Sequence, residues 1–210
     1  MKIIEPYFEI LQMAEADKIY QLLELAARNC YKSEDHIVDG SAQEFLERIV
    51  KSGHESVIEH VSITVRIVCD RGVLAELTRH RIASFSVEST RYANYAKDKF
   101  GSEITVIKPF FWQEDSEMYK EWKRAMQMCE ESYMNLIKSG AKAQEARSVL
   151  PNSLKTDIII TANIREWIHI FNLRCSKASH PQMRQIMLPL LKEFYKRVPV
   201  LFGSVYEKYQ

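Results

Sequence analysis

Apolar residues follow two rhythms along this chain, and the places where the rhythm changes mark its elements. Residues 2–11 (KIIEPYFEIL) suit a short strand that Pro6 interrupts or confines to an edge. From Ala16 to Asn29, Ile19, Leu22, Leu23 and Ala26 recur at helical spacing. Ser41 with Glu44 reads as a capping box ahead of Phe45, Leu46, Ile49 and Val50, and Gly53 suits the stop. Val61, Ile63, Val65 and Ile67 alternate with polar residues, the period of a half-buried strand, which Gly72 breaks. Val73, Leu74 and Leu77 start a short helix. Ala83, Phe85 and Val87 then alternate with Ser84, Ser86 and Glu88, an extended segment with its hydroxyls on one side.

The second half begins with a strand over 102–108 (SEITVIK), closed by Pro109. From Asp115 to Ser139 one helical face carries Met118, Trp122, Ala125, Met126, Cys129, Tyr133 and Leu136, as core or subunit interface, and Gly140 ends it. Residues 141–150 predict a second helix, ending at Pro151. Leu154 to Ala162 is a buried strand by its β-branched run, and Asn163 with Glu166 caps a helix bearing Ile164, Trp167, Ile168 and Phe171. Pro181 opens a last long helix with Ile186, Met187, Leu190, Leu191 and Phe194 inward and a bend at Pro189; VLFGSVYEKYQ is a short final turn. No repeat and no Gly/Ser/Pro linker interrupts the 210 residues, which predicts a single domain over 1–210.

Composition narrows the partners. Lys and Arg total 29 against 28 Asp and Glu, a net charge of +1, which argues against a general nucleic-acid or membrane-surface binder. No apolar run approaches bilayer length, and MKIIEPYFEI lacks the layout of a signal peptide. Cys30, Cys69, Cys129 and Cys175 are widely spaced, which favours reduced thiols and a cytoplasmic location over disulfides or structural zinc.

The chemistry concentrates in Thr78 to Tyr95 (TRHRIASFSVESTRYANY). Arg79, Arg81 and Arg91 with Ser84, Ser86, Ser89 and Thr90 place three guanidiniums and four hydroxyls within thirteen residues, opposed there only by Glu88. Arginine's planar fork binds phosphate or carboxylate at two points and hydroxyls complete such a site, so the segment suits a phosphate-bearing ligand. A solvated basic turn accounts for the same residues equally well. His54-Glu55-Ser56-Val57-Ile58-Glu59-His60 invites a zinc-protease reading and fails it, because HExxH needs histidine at position 58 and HxxEH needs one at position 56. Glu59 and His60 also suit the plain role of tying down a loop.

RHR, seven residues (IASFSVE), Ser89 and then Arg91 together resemble the signature of flavin-dependent thymidylate synthases, and weaker matches follow across most of the chain. The resemblance implies an α/β fold of α+β type, with a predominantly antiparallel sheet flanked by long helices. It implies reductive methylation of dUMP to dTMP with FAD, NADPH as reductant and 5,10-methylenetetrahydrofolate as one-carbon donor. It also implies a homotetramer whose active sites are shared between subunits. By match to the family's segments, Glu76, Arg79, Ser89, Thr90, Arg91, Arg147 (in QEARSVLP) and Arg174 would bind dUMP. Ser56, Glu59, Arg79, His80, Arg81, Asn163, Arg165 and His169 (the last three in NIREWIHIFNLR) would bind FAD. His54 would lie near the folate or flavin ring, and Arg174 would be the catalytic residue, stabilising charge on the pyrimidine. No metal is implied. The chain departs from the pattern at Val87, where the family usually has an acid, at Glu76, often glutamine, and in CSKASHPQ after Arg174.

Cysteine catalysis of the kind used by the other thymidylate synthases has no candidate, since no cysteine here follows a proline or precedes a histidine. Three other readings use the same residues. A nucleic-acid module on Thr78 to Tyr95 sits poorly with the neutral charge. A flavin- or nucleotide-binding protein without synthase activity draws on Val87 and Glu76. A metal enzyme built from His54, His60 and His80 lacks ligand spacing.

Overall fold

A computed structural model describes residues 1–97 and 101–210. Two short strands open the chain, β1 (Lys2–Ile4) and β2 (Tyr7–Gln12), parted by Pro6 as its missing N–H requires. Helix α1 spans Ala16–Asn29 and α2 Ser41–Lys51. Strand β3 (Ser62–Asp70) leads directly into α3 (Arg71–Leu77), followed by β4 (Ser84–Val87) and β5 (Thr105–Ile107). The long α4 is Glu117–Lys138 and the single turn α5 is Ala143–Ala146. Strand β6 (Lys155–Asn163), α6 (Ile164–Arg174), α7 (Pro181–Arg197) and α8 (Pro199–Lys208) complete the order. Four strands make one antiparallel sheet in the order β2-β3-β6-β4, and β1 pairs with β5 in parallel, Lys2 against Thr105 and Ile4 against Ile107.

The chain divides into two compact units, each assembled from separated stretches. The first comprises 1–7, 67–79 and 85–159. Its core gathers Tyr95, Ile104, Val106, Trp122, Met126, Tyr133 and Leu154, all buried, around the inner face of α4. The second comprises 8–66, 80–84 and 160–210. There Trp167, Phe171, Phe194 and Phe202 form an aromatic cluster with ring centroids 5.1 to 6.1 Å apart, largely edge-to-face, joining α6, α7 and α8. The indole N–H of Trp167 donates to the Ile63 carbonyl at 3.0 Å, so this buried ring leaves no donor unpaired.

Several boundaries differ from the sequence pattern, each for a visible reason. Gly72 does not break β3; the strand runs to Asp70, whose carboxylate accepts the Val73 N–H at 2.8 Å and caps α3. A Cβ at position 72 would sit 3.0 Å from that carboxylate oxygen, which accounts for the glycine. Ser41 is the first helical residue of α2 rather than its cap. Gly40, at φ +79°, takes the capping position. The Ser41 hydroxyl lies 2.8 and 2.9 Å from the oxygens of buried Glu24, while Glu44 pairs along the helix with Arg48. Residues 141–150 give only α5 and a 3₁₀ turn at Arg147–Val149, because Pro151 holds Leu150 extended at ψ 137°. The strand expected over 102–108 pairs only at Thr105–Ile107, Met118 and Leu136 are exposed on α4, and the final turn is a full helix, α8.

Glu24 is 1% exposed and receives the Arg28 Nε–H at 2.8 Å, with the Arg28 guanidinium stacked 4.2 Å from the Phe45 ring. Removing one partner of a buried ion pair strands the other charge at a cost of about 3 kcal/mol. Arg28→Ala therefore lowers unfolding stability by about that amount in urea titrations, whereas Arg48→Ala, which breaks the exposed pair with Glu44, shifts it by less than about 0.5 kcal/mol.

Candidate functional site

The second unit contains the most constrained polar arrangement among the described residues. His80 is 4% exposed although Arg79 and Arg81 on either side are solvent-accessible. Its Nε2 accepts the Nε–H of Arg174, the last residue of α6, at 2.9 Å. A guanidinium stays protonated, so that bond requires a lone pair on Nε2 and leaves the imidazole proton on Nδ1. On that side the Glu166 carboxylate lies 3.5 Å away. The His169 ring meets His80 edge-on, with centroids 5.7 Å apart. Burial, then the nearby Arg174 and His169, pull the His80 pKa down to about 4. The ring is a neutral bridge between a carboxylate and a guanidinium. Burial pushes the Glu166 carboxyl upward, with His169 opposing the shift.

His80, Glu166 and His169 bring ligand atoms within 4.8 Å of one another, the spacing of a metal triad. The hydrogen bonding argues against that use. With Nε2 occupied by Arg174 and the proton on Nδ1, His80 has no lone pair to give a cation, and a guanidinium already stands beside the ring.

Arg165, one residue before Glu166, turns the other way. Its Nε and Nη2 both lie 3.0 Å from Glu55 Oε2, and its Nη1 lies 2.6 Å from Glu59 Oε1. Glu55 and Glu59 flank and belong to the 3₁₀ turn Val57–His60, so the pair ties that turn to the start of α6. A recess of about 400 Å³ opens here, lined among others by Cys30, Tyr31, His54, Ser56 and Arg165. A second, of about 300 Å³, shares His54 and Glu55 and is floored by Ile58, Ile168, Leu201 and Val205. Asn163 gives its side-chain oxygen to the Glu166 N–H at 2.9 Å, the cap that the sequence predicts.

The remaining expected residues lie in the first unit. Arg147 Nη1 donates to the Thr90 hydroxyl at 3.5 Å, bringing together two positions 57 apart in the chain. Ser89 Oγ accepts the Arg91 N–H at 3.3 Å, and the Ser89 carbonyl takes the N–H groups of Tyr92 and Ala93 at 3.2 and 2.9 Å, a tight turn that presents Arg91 outward. Glu76 stands on α3 and Arg79 just beyond it. The displaced acid serves the packing, since Glu88 accepts from Lys155 Nζ at 2.7 Å and the Tyr95 hydroxyl at 3.3 Å, while Val87 is exposed. Thus the residues matched to dUMP, save Arg174, fall in one unit, and those matched to FAD, save Arg79, in the other.

Glu166 is the residue that the sequence pattern undervalues. The spacing casts it as the return half of a capping box, yet only its backbone N–H serves the cap, and its carboxylate is buried against His80. A signal was present: an acid among Ile164, Trp167 and Ile170, on the side of α6 that is otherwise apolar, needs a partner.

The family model described as thymidylate synthase complementing protein matches residues 11–200. The flavin-dependent thymidylate synthase of Geobacter sulfurreducens is 35% identical over 185 residues, covering 85% of this chain and 78% of its own. That of Pyrococcus furiosus is 35% identical over 167 residues, covering 79% and 68%. Among solved structures, a UMP/dUMP methylase, PolB, from Streptomyces cacaoi bound with 5-Br dUMP superposes with a TM-score of 0.78 at 23% identity, over 100% of this chain and 98% of its own. That likeness bears on the fold.

The neutral state of His80 makes stability sensitive to acid in a defined window. Its folded pKa, about 4, lies below the unfolded value of about 6.5, so between them the unfolded chain binds more protons and stability falls as pH falls. The slope contributed by this residue is about 1.4 kcal/mol per pH unit in that window and vanishes above it. Denaturant midpoints at pH 5 and pH 7 therefore differ less in His80→Asn than in the parent; an unchanged difference would show that folding does not lower the His80 pKa.

Proposed function

The chain belongs to the flavin-dependent thymidylate synthase family, and from that premise we propose that it converts dUMP to dTMP with 5,10-methylenetetrahydrofolate as carbon donor and NADPH as reductant. The observation that carries the reading is the bond from Arg174 to buried His80. It joins the RHR segment to the end of α6, the two stretches that the family resemblance assigns to cofactor and pyrimidine. A solvated basic turn, the plain alternative for the RHR segment, would not bury its central histidine at 4% exposure.

The donor set suits FAD in kind. Arg81 offers a guanidinium for phosphate oxygens, Arg165, already paired with Glu55 and Glu59, only the N–H groups those carboxylates leave, Ser56 a hydroxyl, and the recess beside Tyr31 and Val57 an apolar wall for part of a ring system. At about 400 Å³ that recess takes one end of a dinucleotide, which accords with a homotetramer whose active sites draw on several copies. His80, Asn163, His169 and Glu59 would complete the cofactor's surroundings, with Arg79 and His54 near its ring or phosphates. When bound, the flavin, recharged by NADPH, supplies the reducing equivalents that turn the donated one-carbon unit into a methyl group.

The chain's own residues then have separable roles. Arg91 and Arg147, with Ser89 and Thr90, hold the nucleotide's phosphate and sugar, and Glu76 accepts from its hydroxyl or ring N–H. Arg174 lies against the pyrimidine and stabilises the negative charge that makes C5 nucleophilic, a role suited to a cation that cannot deprotonate. No side chain here attacks the ring. The chain acts in the cytoplasm without nucleic-acid or membrane partners; among the described residues no helix is long and apolar enough to cross a membrane.

The visible spectrum of protein incubated with FAD tests the reading: a flavin band that shifts on adding dUMP is expected. Bound flavin with no response to dUMP would leave a flavoprotein of this fold without synthase activity. Arg174→Ala abolishes dTMP formation, a loss of at least about 100-fold, with flavin retained. Arg81→Ala weakens flavin retention, and unchanged flavin content after gel filtration would remove Arg81 from the cofactor site.

A further inference from the structure

We propose that Glu166 is a positioning residue for the reaction, holding Arg174 in place through His80; this rests on the reading above that Arg174 contacts the pyrimidine. Glu166 and Arg174 stand eight residues apart on α6, roughly 12 Å along its axis. Their long side chains converge on opposite nitrogens of one imidazole, which comes from a distant part of the chain. A carboxylate on the Nδ1 side polarises the ring and strengthens Nε2 as an acceptor, as carboxylates do behind metal-bound histidines. Here the cation that receives the benefit is a guanidinium. Both Glu166 and His80 are at least nine-tenths buried, so the chain of contacts is shielded from water and its geometry is held by packing.

The arrangement fixes the plane of the Arg174 guanidinium by its Nε edge. A cation that must face a planar pyrimidine gains from being oriented before the substrate arrives, since misplacement by about 1 Å at a catalytic group can cost as much as 100-fold. Glu166 touches neither substrate nor cofactor in this scheme. The neighbouring titratable group, His169, meets the same imidazole at its edge and is exposed, so it is not part of the chain of contacts.

A double-mutant cycle on dUMP affinity, by equilibrium titration of the FAD-loaded protein, tests this. Glu166→Ala weakens dUMP binding about tenfold when Arg174 is present and less than about twofold in an Arg174→Ala background. Glu166→Gln, which keeps an oxygen for the Nδ1–H but loses the charge, falls between. Equal losses in both backgrounds, or no loss with Arg174 present, overturn the proposal while leaving the role of Arg174 intact. Parental dUMP affinity in Arg174→Ala alone would instead defeat the reading of Arg174, and the proposal with it. A second readout needs no substrate. Ring ¹⁵N signals of labelled protein place the His80 proton on Nδ1 at neutral pH, and a proton on Nε2 would break the chain of contacts at its centre.

Discussion

A buried neutral imidazole between a carboxylate and a guanidinium is the constraint on which the rest of the site depends. Burial and Arg174 both oppose protonation of His80 where it sits. The ring cannot be left unpaired either, since a buried polar ring without partners costs roughly 1–3 kcal/mol. Arg174 donates to its Nε2 and the Glu166 carboxylate faces its Nδ1 at 3.5 Å, which ties the end of α6 to the 80–84 segment. The aromatic cluster of Trp167, Phe171, Phe194 and Phe202 holds the same buried side of α6. The rigidity of the polar contact is therefore inherited from an apolar one.

The same logic separates residues that serve structure from residues that can serve chemistry. Glu88 occupies Lys155 and Tyr95, so the shifted acid beside the motif serine is accounted for by the packing of the first unit. Glu24 is engaged by Arg28 and Ser41. By contrast Arg81 and Arg91 are exposed, and Arg147 meets the Thr90 hydroxyl at the edge of hydrogen-bond distance. Exposed guanidiniums keep their charge available to a ligand.

Much of this was legible in the sequence, and what was not has a common cause. Helix α1 begins and ends at the residues its apolar period predicts, Asn163 caps α6 as its side-chain chemistry requires, and β6 follows its β-branched run. These are local properties. The misread features depend on partners far away: Ser41 gives its hydroxyl to Glu24, seventeen positions earlier, instead of capping α2. Glu166 turns from its own helix end to a histidine in another segment. The interleaved units likewise have no local signature, since β3 and β6 each contribute residues to both. The RHR-x7-S spacing was the exception, a short pattern whose meaning came from family likeness and not from periodicity.

The most direct test of the account follows the hydrogen that must leave. Methylation of the pyrimidine at C5 replaces the hydrogen there. With [5-³H]dUMP, FAD, NADPH and 5,10-methylenetetrahydrofolate, tritium should appear in water in step with dTMP, and both should require Arg174. Flavin-loaded protein that oxidises NADPH but releases no tritium from dUMP would contradict the assignment of this chain as a working synthase.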